Sequence, residues 1–300
     1  MFKETGVYKV DLSHFNMKEV IYTNFMFDYS TLLESINLKN INLENVIEMS
    51  NMFRYCKNLK SVDLAYFSTP KLRDVNNLFY ACDSLTEIKN FNMNTKNVKD
   101  FHCMFQDCRS LIRLDLSKLD TRNVKTMDGM FDGCTSLAHL DVSHFNTTSV
   151  TNMDSMFSKC SSLKSLDLTN FNTKHLNSMR GMFASCESLF RLFINFNTAK
   201  VRQMEGLFNG CKSLTSINLK NWRTERVIRM DTMFADCWSL KTLDLSSFST
   251  VNVESVAYMF KNCKSLKILD LRSFDLSEVK NKDKMFDGCP AEIIWGDNDE

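Results

Sequence analysis

A phenylalanine preceded by Met or Leu recurs along the entire chain, at Phe27, Phe53, Phe79, Phe105, Phe131, Phe157, Phe183, Phe208, Phe234, Phe260 and Phe286. The step is 26 residues throughout, except for one of 25 between Phe183 and Phe208. Self-similarity at this period marks a solenoid, because a unit this short cannot bury its own apolar face and must stack on its neighbours. The repeat therefore predicts a single solenoid over 1–300, of about eleven 26-residue turns. It overrides the two-domain expectation that 300 residues would otherwise carry.

The turn Leu163–Cys186, LKSLDLTNFNTKHLNSMRGMFASC, shows the physical logic. Leu163, Leu166 and Leu168 have the spacing L-x-x-L-x-L, whose second half alternates as a half-buried strand does. The same frame appears at Leu59-Val62-Leu64, Leu111-Leu114-Leu116, Leu137-Leu140-Val142, Leu240-Leu243-Leu245 and Leu266-Leu269-Leu271, and as early as Val7-Val10-Leu12. One short strand per turn stacks into a parallel sheet, with Leu columns inward and polar residues outward. A Phe or Trp column follows at Phe15, Phe67, Phe145, Phe171, Trp222, Phe248 and Phe274, usually with Thr two residues later. That hydroxyl is expected to bond local backbone at the corner. Next comes V-x-x-M-x-x-M-F, as at Val150, Met153, Met156 and Phe157, whose spacing predicts a short helical or 3₁₀ segment on the opposite wall.

Ten of the 11 cysteines fall three residues after the repeat Phe: Cys56, Cys82, Cys108, Cys134, Cys160, Cys186, Cys211, Cys237, Cys263 and Cys289. A one-residue-type column is a packed position, and free Cys behaves as a small buried hydrophobe. A reduced, buried ladder is the expectation, with disulfides between neighbouring turns as the alternative. No CxxC pair or His at ligand spacing supports zinc. The Met column reads as core packing, since Leu78 and Leu207 take the same place. No metal or cofactor is expected.

Thirty-seven basic residues against 36 acidic ones leave a net charge of +1, so the sequence points to no nucleic acid and no anionic membrane. No apolar run approaches the roughly 20 residues a transmembrane helix needs. Residues Met1–Phe15 are polar and acidic where a signal peptide places its apolar core. The expected location is therefore either the cytoplasm or, for a mature or truncated chain, the outside. No G-x-S-x-G, Gly-rich phosphate loop or H-E-x-x-H occurs, and an enzyme is not expected.

The phrase MFSKCSSLKSLDLTNFNT (Met156–Thr173) and its copies resemble the BspA-like leucine-rich-repeat surface proteins, in particular the branch with mycoplasma-lipoprotein-type repeats of 25–26 residues. The resemblance covers essentially the whole chain. It implies a right-handed leucine-rich-repeat-like coil, a cell-surface or secreted location, and a role in adhesion or host interaction. The leading expectation is a non-enzymatic scaffold that binds a protein or glycan through its strand-bearing face. The alternative is a cytoplasmic recognition module such as an effector or sensor.

Both ends depart from the frame. Lys282 replaces a column Met, Pro290 breaks the pattern, and Ala291–Trp295 can lay down a last strand. A C-terminal cap is expected over about 282–300, kept soluble by Asp297, Asp299 and Glu300. At the other end, aligning Phe15 with Phe67 places Met1 at the repeat Phe, so the chain is expected to start inside a repeat. Its first strand would then offer an edge to a partner or to missing upstream sequence.

The outward position between the last two Leu columns runs Asp11, Asn37, Asp63, Lys89, Asp115, Asp141, Asp167, Phe193, Asn218, Asp244 and Asp270. The recurring D-L-S suggests that each Asp accepts hydrogen bonds from a nearby Ser or Thr, such as Ser117, Ser143 or Thr169. The departures are the binding candidates. Phe193 replaces the Asp in the short turn, beside Phe190 and Arg191, with Lys164 and Asn218 on neighbouring turns. An aromatic–Arg–aromatic group on a polar sheet resembles a hot spot. The other reading is an imperfect repeat in which the rings fold over a bulge made by the deletion. A second irregular turn carries Lys89 and Phe91, with Tyr66 one turn away. His139 and His144, near Arg113 and Lys118, read as solvated histidines.

Overall fold

The computed structural model describes residues 2–296, which form two compact units, Met1–Ser149 and Val150–Glu300. In the first unit, strands β1 (Lys9–Asp11), β2 (Ser35–Asn37), β3 (Ser61–Asp63) and β4 (Glu87–Lys89) pair in parallel as β1–β2 and β3–β4. In the second, β5 (Ser165–Leu168) pairs with β6 (Arg191–Ile194), and β7 (Ile268–Asp270) with β8 (Glu292–Ile294). The register steps by 26 residues in the first three pairs, as Lys9 opposite Ser35 and Leu166 opposite Leu192 show, and by 24 in β7–β8, where Ile268 lies opposite Glu292. Not every turn carries a strand. Around Arg113 only a single bridge to Glu87 forms, yet Leu111 and Leu116 are buried and Leu114 is half-buried. The inward apolar pattern is thus more regular than the ladder built on it.

Each unit has an aromatic spine. Phe2, Phe27, Phe53, Phe79, Phe105 and Phe131 stack at 5.2–5.9 Å with nearly parallel planes. Phe157, Phe183, Phe208, Phe234, Phe260 and Phe286 do the same at 5.6–5.9 Å. Each offset-stacked pair adds about 0.5–1.5 kcal/mol beyond the area it buries. Phe2, and not Met1, heads the first spine: the spacing from Phe27 is 25 residues, one fewer than the alignment assumed. Met1, Asp297, Asp299 and Glu300 lie outside the described residues.

The wall opposite the strands corrects the sequence reading, because no helix forms there. Donors alternate in their partners. Met156, Ser158 and Cys160 donate N–H to the carbonyl three residues back, as in a 3₁₀ turn, while Ser155, Phe157 and Lys159 donate to Arg180, Met182 and Ala184 of the next turn. A 3₁₀ helix requires every donor to point along its own axis. Here the residues two before and two after the spine Phe have positive φ, such as Ser155 (54°) and Lys159 (56°), and they turn alternate N–H groups toward the neighbouring turn. Gly129 and Gly133 occupy these two columns at +62° and +77°, the conformation in which Gly alone carries no Cβ penalty.

Two polar ladders stitch the turns from inside. The Thr column is buried, and its hydroxyls bond the next turn rather than local backbone. Thr173 Oγ1 donates to the Asn197 carbonyl (3.1 Å) and accepts from the Asn197 N–H (2.7 Å), and Thr198, Thr224 and Thr250 repeat this pair of bonds. One hydroxyl thereby satisfies a donor and an acceptor that would otherwise be buried unpaired. The cysteines are all free. Thiols of the ladder donate to the Phe carbonyl of the preceding turn, as from Cys56 to Phe27 (3.1 Å) and Cys237 to Phe208 (3.1 Å), whereas Cys103, buried outside the ladder, lies 3.5 Å from His102 Nδ1. Burial pushes the Cys56 and Cys237 thiols up to about 12 and raises Cys82, Cys134 and Cys211 well above the ordinary range.

Candidate recognition surface

The outward Asp column is structural. Asp115, Asp141 and Asp167 each accept the backbone N–H two residues on, from Ser117, Ser143 and Thr169, at 2.9 Å. These Asx turns end the strand and hold the carboxyls below their usual range. Among the described residues no group of three or more His, Cys, Asp or Glu is placed to hold a metal ion.

Phe193 lies where an Asx turn cannot form. Leu168 and Phe171 are separated by Thr169 and Asn170, whereas Ile194 and Phe196 are separated by Asn195 alone. The missing residue is thus in the corner after the strand, the loop that the Asx turn would close. The β5–β6 ladder upstream is unbroken, with Ser165, Leu166, Asp167 and Leu168 opposite Arg191, Leu192, Phe193 and Ile194. No bulge displaces the rings. Leu192 points inward, while Phe193 and Phe190 stay 51% and 44% exposed on an otherwise polar sheet. The Arg191 guanidinium lies 5.4 Å from the Phe190 ring centroid. The Lys164 carbonyl accepts from the Phe190 and Arg191 N–H groups, and its side chain is exposed beside them. Asn218, in the following turn, is exposed but engaged, its Oδ1 accepting the Lys220 N–H at 3.2 Å.

The candidates of the first unit fare differently. Lys89 is exposed and paired with Glu87 at 3.0 Å, and Tyr66 is 42% exposed. Phe91 is only 5% exposed, which removes it from the surface set. Asn90 takes the place of the inward Leu, adopts φ of 50° and bonds Asp63 (2.9 Å). The chain rotates there, and Phe91 turns into the core, 6.4 Å from the Phe105 ring.

One cluster escaped the sequence reading. Asp28, fully buried, is gripped by Arg54 at 2.8 and 3.2 Å and approached by Lys3 at 3.4 Å. The Arg54 guanidinium lies over Phe25, Tyr29 and Tyr55 at 5.8, 5.2 and 5.5 Å, and Tyr29 stacks on Tyr55 at 4.4 Å. Asp28 holds the arginine in its charged form. The available signal was that Asp28 and Arg54 share one column on successive turns, flanked by the aromatics Phe25, Tyr29 and Tyr55 in columns that are mostly non-aromatic elsewhere.

These two lattices, a stack of parallel Leu-lined strands and a wall of turns, define a leucine-rich-repeat solenoid. The structure is similar to a leucine-rich repeat protein from Eubacterium ventriosum, with TM-score 0.51 and 17% identity over 85% of this chain and 70% of that one. It is similar at lower TM-scores to a leucine-rich repeat protein from Bacteroides ovatus (0.38, 18% identity, 96% of this chain and 84% of that one). A leucine rich cell surface protein from Faecalibacterium prausnitzii gives 0.32 and 15% identity, over 79% of this chain and 83% of that one. No curated protein matches the sequence. The family described as "Mycoplasma protein of unknown function, DUF285" matches residues 1–113, 104–215 and 190–293, and the chain belongs to it. Among the described residues no helix is long and apolar enough to cross a membrane.

Proposed function

We propose that this protein is a non-enzymatic recognition scaffold that binds a protein partner through the strand-bearing face of its second unit. The observation that carries the reading is the exposure of Phe190 and Phe193 around Arg191 on an unbroken β5–β6 ladder. Aromatic and Arg side chains dominate binding hot spots, and here rigid strands hold them, so little ordering entropy is lost on binding. Lys164 extends the group on the adjoining turn. Asn218 lies at the rim, and Tyr66 with Lys89 forms a separate, weaker candidate on the first unit. The repeat's resemblance to adhesin-like surface proteins supports a surface or secreted location and an adhesive role. A cytoplasmic recognition module is the second reading, favoured by eleven free thiols. Capture from host surface extract and from cytosol, with the wild-type chain and Phe193→Asp side by side, tests both. A partner lost with the variant supports the site, and its source decides the compartment. Equal recovery by both proteins rejects it.

A further inference from the structure

On the first unit, away from the strands, three successive turns carry the same pattern: Lys71-Leu72-Arg73, Lys96-Asn97-Val98-Lys99 and Arg122-Asn123-Val124-Lys125. Leu72, Val98 and Val124 are buried, and the six cations between and around them are exposed. The turns are in register, since the Lys125 N–H bonds the Lys99 carbonyl (2.8 Å) and Asp100 bridges Thr126 in parallel. Stacked chains lie about 4.8 Å apart, so cations of one column follow each other at that spacing. Asn97 and Asn123 bond carbonyls of the preceding turn, Pro70 (3.4 Å) and Lys96 (2.7 Å), and fix the main chain beneath.

The nearby carboxylates are turned to other work. Asp74 accepts the Asn76 N–H, and Asp100 accepts the His102 N–H and the Asn76 side chain. Asp120 pairs with Arg122, at 2.9 Å. Among the described residues Lys71, Arg73, Lys96 and Lys99 form no ion pair. Like charges held this close raise the local potential and recruit a polyanion in place of small counterions.

We infer that this basic corner is a binding site for an anionic polysaccharide, distinct from the strand face and independent of the protein-recognition reading. The chemistry around the cations selects the ligand. No aromatic side chain occurs in 68–74, 94–100 or 120–126, so nothing offers a base a stacking platform, the usual anchor for single-stranded nucleic acid. A chain with anionic groups on successive sugars needs only regularly spaced cations.

The test compares retention of the full chain on immobilised dextran sulfate with two variants of equal net charge. One replaces Lys71, Arg73, Lys96 and Lys99 by Gln. The other replaces Lys9, Lys39, Lys220 and Lys241, which are exposed elsewhere. All three should share one thermal midpoint. The inference predicts that affinity for dextran sulfate drops at least about tenfold in the first variant only, and that its dependence on log salt becomes shallower there as contacting cations are lost. Equal losses in both variants would reduce the effect to net charge and overturn it. So would absence of binding at low salt, or tighter binding to an oligothymidylate of matched charge than to dextran sulfate.

Discussion

Two adjacent turns of the second unit, 163–188 and 189–213, share an interior and differ at one corner. Both bury their first two Leu positions, although Ile194 is only half-buried where Leu168 is fully buried, and both place a stacked Phe, at 183 and 208, on the same spine. Both anchor a thiol to the preceding Phe carbonyl and tie a buried Thr to the next turn. The second lacks one residue after its strand, and with it the Asx turn. Where the Asp has no turn to close, the outward position is released from structural duty and holds Phe193. The lattice thus explains which surface positions are free to vary: those whose side chains bond nothing within the coil.

The largest expected effect strikes both turns alike. Among the interior thiols, Cys56, Cys82, Cys108, Cys134, Cys211, Cys237 and Cys263 are all raised by burial. An unfolded thiol ionises near pH 8.5, so above that value the unfolded state binds fewer protons than the folded one, and stability falls as pH rises. Each such thiol contributes about 1.4 kcal/mol per pH unit. The protein should unfold cooperatively between about pH 9 and 10. Circular dichroism against pH checks this, and thiol reagents should label few cysteines below that transition and nearly all above it. Rapid labelling at neutral pH would contradict the ladder.

Next in size, Leu166→Asp and Leu192→Asp each bury an unpaired charge and should each cost several kcal/mol, about 3–5 by analogy with broken buried pairs. Near-equal losses in denaturant titrations support a common interior. A tolerated Leu192→Asp would show that the short turn is loose throughout and break the comparison. Thr173→Val and Thr198→Val each strand a donor and an acceptor and should cost about 1–3 kcal/mol apiece.

The smallest effects separate the turns. Asp167→Ala removes an Asx turn and should lower the thermal midpoint, while Phe193→Ala should leave it unchanged within about 0.5 kcal/mol. A fall with Phe193→Ala equal to that with Asp167→Ala would make Phe193 a packing residue.

Periodicity alone carried much of this. The Leu frame, the Phe spine and the Cys and Thr columns were visible because one side chain recurs at one place. What escaped depended on backbone conformation. The two positive-φ columns are occupied by residues as different as Gly129, Ser155, Tyr29 and Lys159, so no single residue type announced them, and the Met spacing suggested a helix instead. Phe91 was misplaced for a similar reason, since the inward turn follows from φ at Asn90. The position of the deletion lay in the spacing from Ile194 to Phe196, and what the sequence could not show is that no bulge absorbs it in the strand.

The most direct measurement is partner affinity set beside thermal midpoint for the wild type, Asp167→Ala and Phe193→Asp. The account predicts that Asp167→Ala melts earlier yet keeps the partner, and that Phe193→Asp melts with the wild type yet loses it. The reverse pattern, binding lost with Asp167→Ala and kept with Phe193→Asp, would contradict the assignment of lattice to one turn and recognition to the other.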